Sequence, residues 1–130
     1  VLIDNPSNAI QQLKRIKNLG IRIALDDFGT GYSSLSMLTN FPVDVLKLDQ
    51  SFFLGENSEN KKLIITHLIA MAQSLKIDVV AEGIESGSIA QWLAGIRCHL
   101  VQGFLFSQPL TAQDFERFFI SNLQDLKALE

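Results

Sequence analysis

The segment 23–35 constrains the fold of this chain more than any other part of its sequence. An apolar run stops at two adjacent carboxylates, Asp26 and Asp27, and glycines and hydroxyl residues follow. A buried strand of a parallel sheet delivers acids to a site at its C-terminal end in this way. Neighbouring side chains of a regular strand point to opposite faces, so the two acids converge only if the backbone leaves the strand between or just after them. Gly29 and Gly31 permit such a turn.

The adjacent acids have two interpretations when they are taken alone. Two carboxylates held together repel each other unless a cation or a proton intervenes, which is the usual reason for placing such a pair beside divalent metals. The alternative is an acidic turn that caps the next helix. The rest of the chain favours the metal site.

Three further segments repeat the same arrangement of an apolar strand followed by polar residues. They are residues 45–49, 79–85 and 100–104. Their polar residues are Lys47 and Asp49 in the first, Glu82 and Glu85 in the second, and Gln102 in the third. Helix-like stretches separate them, so the pattern predicts four βα units of an α/β fold. Function in such folds lies at the C-terminal ends of the strands.

The helices are predicted from apolar periodicity and capping residues. A proline in the first turn opens a helix after Asn5 that ends at Gly20, a second helix runs from about Glu59 to Leu75, and a third covers 86–94. Thr111 and Asp114 resemble a capping box that opens the last helix. The residues expected to face the core are Ile10, Leu13, Ile16 and Leu19; Leu63, Ile64, Leu68, Met71 and Leu75; Ile89, Trp92 and Leu93; and Phe115, Phe118, Phe119, Leu123 and Leu126.

Composition bounds the class of protein. A chain of 130 residues with 47% apolar content is expected to form one domain. Its net charge of −3, without a basic cluster, argues against a nucleic-acid duplex as partner. The single cysteine, Cys98, excludes an internal disulfide and fits a reducing compartment, so we expect a cytoplasmic location. No stretch reaches the ~18 apolar residues of a membrane helix, so no membrane contact is expected.

These residues resemble a known family in their order and spacing. The segments that carry the resemblance are Asp26 to Leu35, Lys47-Leu48-Asp49, Ala81 to Glu85, and Gln102-Gly103-Phe104. They resemble the second half of the EAL family, bacterial phosphodiesterases that hydrolyse the signalling molecule cyclic di-GMP, a regulator of biofilms, to linear pGpG. Phe104 and His99 depart from residues common in the family, but neither position carries the expected chemistry.

The resemblance implies a two-metal site at the strand ends. Asp26 and Asp27 would bind two Mg²⁺ or Mn²⁺ ions, hard cations that prefer carboxylate oxygens. Glu82 would be a general base or a metal-site carboxylate. Lys47 would orient the attacking water or neutralise charge that develops on phosphorus. The alternative for Lys47 is a structural ion pair with Asp49 or Asp26.

The resemblance also implies supporting roles around that site. Glu85 would brace the loop from Asp26 to Leu35, whose residues include Gly29, Thr30 and Gly31. The alternative for Glu85 is a carboxylate that interacts with the dipole of the next helix.

Further residues would contact the substrate or its water. Gln102 would touch the metal-bound water or the substrate, and Asp49 would support the lysine. Phe106 and Pro109 are expected at an edge that contacts guanine.

The resemblance finally implies an incomplete domain. A full (β/α)₈ TIM-like barrel has about 250 residues, so residues 1–130 are interpreted as the C-terminal half of one EAL domain. The Glu-Ala-Leu motif and two other metal ligands would belong to the N-terminal part. We therefore expect the isolated fragment to be inactive, and to form a homodimer or to associate with that missing half.

One alternative to a phosphodiesterase stays open. The parent protein could be a non-catalytic EAL-like module that binds cyclic di-GMP or a protein partner. Degenerate members of the family usually lose the acid pair, the lysine or the glutamate, and all of these residues are present here. Their presence favours the enzyme for the parent protein.

Overall fold

Four parallel strands form a single sheet, and helices connect them. The computed structural model describes the backbone of residues 6–30, 35–55 and 58–127, and the side chains of 7–30, 35–55 and 58–122. The elements, in chain order, are α1 (Pro6–Asn18), β1 (Ala24–Phe28), α2 (Leu35–Asn40), β2 (Val45–Leu48), a 3₁₀ turn (Gln50–Phe52), α3 (Glu59–Ser74), β3 (Asp78–Ala81), α4 (Gly87–Gly95), β4 (Leu100–Val101) and α5 (Ala112–Lys127).

The strands lie side by side in the order in which they occur in the chain, β1-β2-β3-β4, and every pair is parallel. This confirms the predicted succession of four βα units. Because all four strands run the same way, their C-terminal ends meet at one edge of the sheet. The polar residues that follow each strand are thereby brought to a common edge.

Alternation along β2 separates the core from the site. Leu46 and Leu48 are fully buried, whereas Lys47 between them is only partly buried. Successive side chains of a strand point to opposite faces, so Lys47 lies on the face opposite to the two leucines. The two leucines therefore pack in the core, and the Lys47 side chain lies on the opposite face, where it can take part in a functional site.

The core lies between the sheet and helices α3 and α4. Ile65, Ile69 and Ala72 of α3 are buried, and Leu93 of α4 is fully buried with Ile89 and Trp92 packed against the core. The prediction for α4 is therefore confirmed. The three buried residues of α3 are four and three positions apart, which places them on one face of the helix.

Part of the predicted inward face of α3 is wrong. Leu68 and Met71 pack against the core as expected, but Leu63, Ile64 and Leu75 are exposed. The buried stripe passes through Ile65 instead, because the sheet contacts the face that carries residues 65, 69 and 72. The helix is apolar on more than one side, so periodicity alone does not select the covered one.

The predicted burial of the first and last helices is also largely wrong. Ile10 and Leu13 are half-buried, but the other apolar side chains described there are exposed: Ile16, Leu19, Phe115, Phe118 and Phe119. The sheet has only four strands, so the described residues offer the apolar stripes of both helices little to pack against. Leu123 and Leu126 lie outside the described side chains. None of the described helices has the length and apolarity needed to cross a membrane.

The turns that lead from helices into strands share a left-handed residue. Gly20 before β1, Lys76 before β3 and Arg97 before β4 have φ values of 81°, 60° and 64°. Glycine adopts this conformation freely, but a residue with a Cβ does so at a cost of about 1–2 kcal/mol. Helices commonly end in this way, and the predicted end of the first helix at Gly20 is confirmed.

Capping fixes the start of the last helix. The Thr111 hydroxyl accepts a hydrogen bond from the Asp114 backbone N–H at 3.2 Å and donates one to Asp114 Oδ2 at 2.7 Å. One half of the predicted capping box is therefore present, since the Thr111 hydroxyl caps the Asp114 N–H while the aspartate side chain bonds the hydroxyl. This hydrogen bond marks the start of α5.

Candidate metal centre

The acid pair at the end of β1 converges through a bulge. Leu25 pairs with Leu46 and Phe28 pairs with Leu48, so β1 uses one residue more than β2 over this stretch. Asp27 takes up the extra residue in the left-handed conformation, with φ 51°. Aspartate is among the few non-glycine residues that tolerate this region. The predicted departure of the backbone between the acids is confirmed, but it occurs at Asp27 itself and not only at the glycines.

The turn after the bulge is held by hydrogen bonds to the carbonyl of Asp27. The Thr30 hydroxyl donates to this oxygen at 3.0 Å, and the Thr30 N–H donates to it at 3.3 Å. Gly29 between them has φ 110°. Thr30 and Gly29 thus stabilise the turn that carries the acids. Gly31 lies outside the described residues.

Three carboxylates meet at this edge of the sheet. Asp26, Asp27 and Glu82 each offer one oxygen, and these oxygens all lie within 4.8 Å of one another. Glu82 reaches the group because its backbone N–H donates to Leu48 O at 3.0 Å, which continues the sheet one residue beyond β3. Its side chain is 16% exposed, against 61% for Asp26. Glu82 is the sheltered member of the group.

Lys47 bridges two of these carboxylates. Its ammonium lies 2.7 Å from Asp26 Oδ1 and 2.5 Å from Glu82 Oε1. The hydrogen bonds to Asp26 and then to Glu82 raise the pKa of Lys47 above its ordinary value of 10.5. The amine therefore stays protonated at neutral pH. An ion pair with Asp49 or Asp26 was the alternative to a catalytic role for Lys47, and the pair with Asp26 is present.

The donor set suits a hard divalent cation. All three ligands are carboxylates, the type that Mg²⁺ and Mn²⁺ prefer. Oxygens bound to one ion at about 2.0–2.6 Å can lie up to about 5 Å apart, so the observed spacing needs little rearrangement. Three carboxylates and one ammonium leave two negative charges uncompensated. The three residues fill only about half of an octahedral shell of six ligands.

Asp49 acts within the chain turn that follows β2. Its carboxylate accepts a hydrogen bond from the Ser51 N–H at 2.9 Å and caps the 3₁₀ turn. The hydrogen bonds from Ser51 lower the pKa of Asp49. Among the described residues, the ion pairs of Lys47 are with Asp26 and Glu82 and not with Asp49. The structure shows no direct contact of Asp49 with the lysine among these ion pairs of the described residues, so its supporting role stays a prediction.

Gln102 lies at the end of β4, next to a cavity. Its N–H donates to Ala81 O at 2.8 Å, and its carbonyl accepts from Ile84 N–H at 3.0 Å. Its exposed side chain lines a cavity of about 280 Å³ together with Pro109, Phe115 and Phe118. Phe106 is exposed and is not among the residues that line this cavity. Gln102 and Pro109 line the same cavity, and the expected contacts of Gln102, Phe106 and Pro109 with the substrate stay predictions.

Glu85 is exposed between the fully buried Ile84 and the start of α4. The loop that it was expected to brace includes residues 31–34, which lie outside the described residues. Its bracing role stays a prediction.

Sequence reasoning missed the 3₁₀ turn and its contacts. A Cβ added to Gly29 would lie 2.1 Å from Phe52 Cε2, and one added to Gly83 would lie 2.4 Å from Gln50 Cβ. The turn therefore touches the two glycines that follow the acid-bearing strand ends. The sequence signal that could have predicted this turn is Asp49. An aspartate often accepts a hydrogen bond from the backbone N–H two residues later and so caps a turn.

Comparison with known proteins identifies the family. The EAL domain model matches residues 1–109. The chain is 43% identical over 118 residues to cyclic di-GMP phosphodiesterase NbdA of Pseudomonas aeruginosa, which covers 90% of this chain and 15% of that protein. It is 40% identical over 119 residues to cyclic di-GMP phosphodiesterase PdeR of Escherichia coli, covering 91% and 18% respectively. The chain thus spans less than a fifth of the length of these relatives.

Solved structures share the fold. The EAL domain of Mycobacterium smegmatis DcpA superposes with a TM-score of 0.85 at 36% identity, over 93% of this chain and 55% of that one. Klebsiella pneumoniae BlrP1, in a complex with manganese and cyclic di-GMP, gives a TM-score of 0.73 at 37% identity, over 83% and 28%. The four βα units therefore correspond to part of a TIM-barrel-like fold. The chain belongs to the EAL domain family.

Proposed function

We propose that this chain supplies the catalytic strand ends of a phosphodiesterase that hydrolyses cyclic di-GMP to linear pGpG with Mg²⁺ or Mn²⁺. The observation that carries the proposal is the meeting of Asp26, Asp27 and Glu82 within 4.8 Å, with Lys47 bonded to two of them. The names of the relatives support the substrate. The manganese and cyclic di-GMP complex of BlrP1 supports the class of ion.

The three carboxylates would hold two divalent ions in the complete site. When bound, such ions polarise a phosphoryl oxygen and lower the pKa of a coordinated water. Asp26 and Asp27 come from one bulged strand end, and Glu82 comes from the strand two positions away. Their negative charge is what attracts the cations. Glu82, the most sheltered of the three, would either hold a metal ion or accept a proton from the attacking water.

Lys47 would act on the phosphate. Its raised pKa keeps it cationic through the neutral range. An ammonium fixed by two carboxylates needs little reorganisation as negative charge develops on the phosphoryl oxygens. Gln102, at the next strand end, would orient the substrate or its water. The cavity beside it, which Pro109 also lines, would accept an apolar or aromatic part of the ligand.

The remaining metal ligands would come from the rest of the EAL domain. We interpret residues 1–130 as the C-terminal part of that domain, since the chain covers 55% of the DcpA domain. Three carboxylates leave a six-ligand shell unfilled. The isolated chain should therefore hydrolyse cyclic di-GMP only negligibly, and activity should appear on mixing with the separately expressed upstream part.

An enzyme accounts for these residues better than a non-catalytic binding module. Binding a dianionic dinucleotide does not require a lysine held between two carboxylates, because those acids reduce its attraction for phosphate. Such a lysine is useful where charge changes during a reaction. Measurable nucleotide binding without hydrolysis, in the complete domain with Mn²⁺, would favour the binding module instead.

The test is hydrolysis by the EAL-domain protein that carries this chain. Asp27→Asn should reduce the formation of pGpG in Mn²⁺ by at least about 100-fold, because an amide binds hard cations far more weakly than a carboxylate. Glu59→Gln is the matched control, since Glu59 is 90% exposed on α3 and should leave the rate unchanged. Equal rates for the wild type and Asp27→Asn would contradict the proposal.

A further inference from the structure

We infer that the 3₁₀ turn Gln50–Phe52 is a positioning element that sets the distance between the β1 acid pair and Glu82. Phe52 contacts the turn after the acid pair, and Gln50 contacts the turn after Glu82. The expected effect of this turn on catalysis rests on the proposed function. The expected effect of the turn on metal binding does not.

The geometry of the sheet creates the need for such an element. Asp26 and Asp27 belong to β1 and Glu82 follows β3, with β2 between them. Neighbouring strands lie about 4.8 Å apart, so β1 and β3 are separated by roughly 9.5 Å. The carboxylate oxygens nevertheless lie within 4.8 Å of one another. The two sets of side chains must therefore lean toward each other over the end of β2.

The contact on the β1 side is between Phe52 and Gly29. The ring atoms Cε2 and Cζ would lie 2.1 Å and 2.7 Å from a Cβ at Gly29, so only glycine fits beneath the ring. Gly29 follows the acid pair after one residue, and its φ of 110° also favours glycine. Phe52 thus limits how far the turn that carries the acids can move.

The contact on the β3 side is between Gln50 and Gly83. A Cβ at Gly83 would lie 2.4 Å from Gln50 Cβ, 3.1 Å from its Oε1 and 3.4 Å from its Cα. Gly83 comes directly after Glu82 and has φ 66°. The same turn that contacts the acid pair through Phe52 therefore contacts the Glu82 backbone through Gln50.

The turn is itself fixed at both ends. The Asp49 N–H donates to Phe28 O at 3.2 Å, and Asp49 caps the turn through Ser51. Phe53, directly after the turn, donates from its N–H to Gln50 O at 2.8 Å and is buried in the core. A rigid insert between two glycine turns transmits its position to the residues on either side.

The first test compares Phe52 with the core residue Ile69 in the EAL-domain protein. Phe52→Leu should weaken Mn²⁺ binding about tenfold or more, as the loss of groups that orient metal ligands commonly does. Binding is read from the electron paramagnetic resonance signal of free Mn²⁺. Ile69→Ala is the control, because Ile69 is fully buried in the core on α3 and lies outside the turn. It should lower the unfolding midpoint without changing Mn²⁺ affinity. Equal weakening by both substitutions, in protein shown to be folded, would overturn the inference.

The second test is a rescue at the other contact. Gly83→Ala should weaken Mn²⁺ binding because its Cβ displaces Gln50. Adding Gln50→Gly removes the side chain that the new Cβ would meet, so affinity should recover at least in part. The backbone strain at position 83 is the same in the single and double variants, and Gln50→Gly alone measures the effect of a glycine in the turn. No recovery would overturn the inference.

The two proposals fail in distinguishable ways. If the wild type hydrolyses cyclic di-GMP but Phe52→Leu leaves Mn²⁺ affinity and kcat unchanged, the positioning role is wrong and the proposed function stands. If Phe52→Leu weakens Mn²⁺ binding but the wild type does not hydrolyse cyclic di-GMP, the proposed function is wrong and the positioning role stands.

Discussion

The ammonium of Lys47 donates to Oδ1 of Asp26 at 2.7 Å and so joins the second strand to the acid pair of the first. The same ammonium reaches Glu82 beyond the third strand. One cation thus ties together carboxylates that would otherwise repel each other.

Lys47 should titrate above its ordinary pKa of 10.5, because both carboxylates favour its charged form. The ion pair then contributes stability that is fully present below 10.5 and is lost as the pH rises through the higher folded value. Asp26→Asn should lower this pKa more than Glu82→Gln, since the Asp26 hydrogen bond is the larger cause. The ¹³Cε resonance of Lys47, followed through alkaline pH in the three proteins, measures this order. The reverse order would place the main interaction at Glu82.

Lys47→Ala should reduce kcat for cyclic di-GMP by about 100-fold or more, because the ammonium is assigned to charge that develops in the transition state. Affinity for the nucleotide in Ca²⁺ should change little. Mn²⁺ affinity should stay the same or increase, since the substitution removes a positive charge beside the carboxylates. A loss of nucleotide affinity equal to the loss of kcat would make Lys47 a substrate-holding residue.

Glu85→Ala should lower activity through the loop that follows the acid pair and not through lost chemistry. Amide hydrogen exchange at residues 29–34 should accelerate in the variant. Glu116→Ala, at an exposed acid on α5, is the control and should leave exchange there unchanged. Lost activity with unchanged exchange would instead give Glu85 a direct role at the site.

Lys76→Gly should stabilise the protein by about 0.5–1 kcal/mol, because Lys76 has a left-handed backbone conformation, with φ 60°. Lys76 follows α3 in the same way as Gly20 follows α1, and glycine adopts this conformation without strain. Urea unfolding measures the change. Lys14→Gly is the opposite control, since glycine inside an exposed helix costs about 1 kcal/mol. A lower urea midpoint for Lys76→Gly would show that the lysine side chain stabilises the turn by more than the strain costs.

The strand ends could be predicted from the sequence because a polar residue that follows an apolar strand is a local pattern. Asp26, Lys47, Glu82 and Gln102 were found in this way, and parallel pairing brings their strand ends to one edge. The convergence of the acid pair could be predicted only in part. The need for a bend follows from strand geometry, but the choice of Asp27 as the bulged residue depends on pairing with β2.

The burial of helix faces was predicted correctly for α4 but largely not for α1, α3 and α5, because it depends on what packs against them. Leu63 and Ile65 are both apolar and nearly adjacent, yet only Ile65 meets the sheet. The 3₁₀ turn was missed for a similar reason. Its contacts with Gly29 and Gly83 join residues that are more than 20 positions apart and involve glycines, whose missing side chains leave no apolar signal.

The central claim is that Asp26, Asp27 and Glu82 together bind divalent cations. The most direct measurement is anomalous X-ray scattering from crystals of the EAL-domain protein soaked in Mn²⁺. The account predicts two anomalous peaks, with an oxygen of each of the three carboxylates about 2 Å from at least one of them, and their loss in Asp26→Asn crystals prepared identically. A peak elsewhere on the protein, with none at these carboxylates in the wild type, would contradict the account.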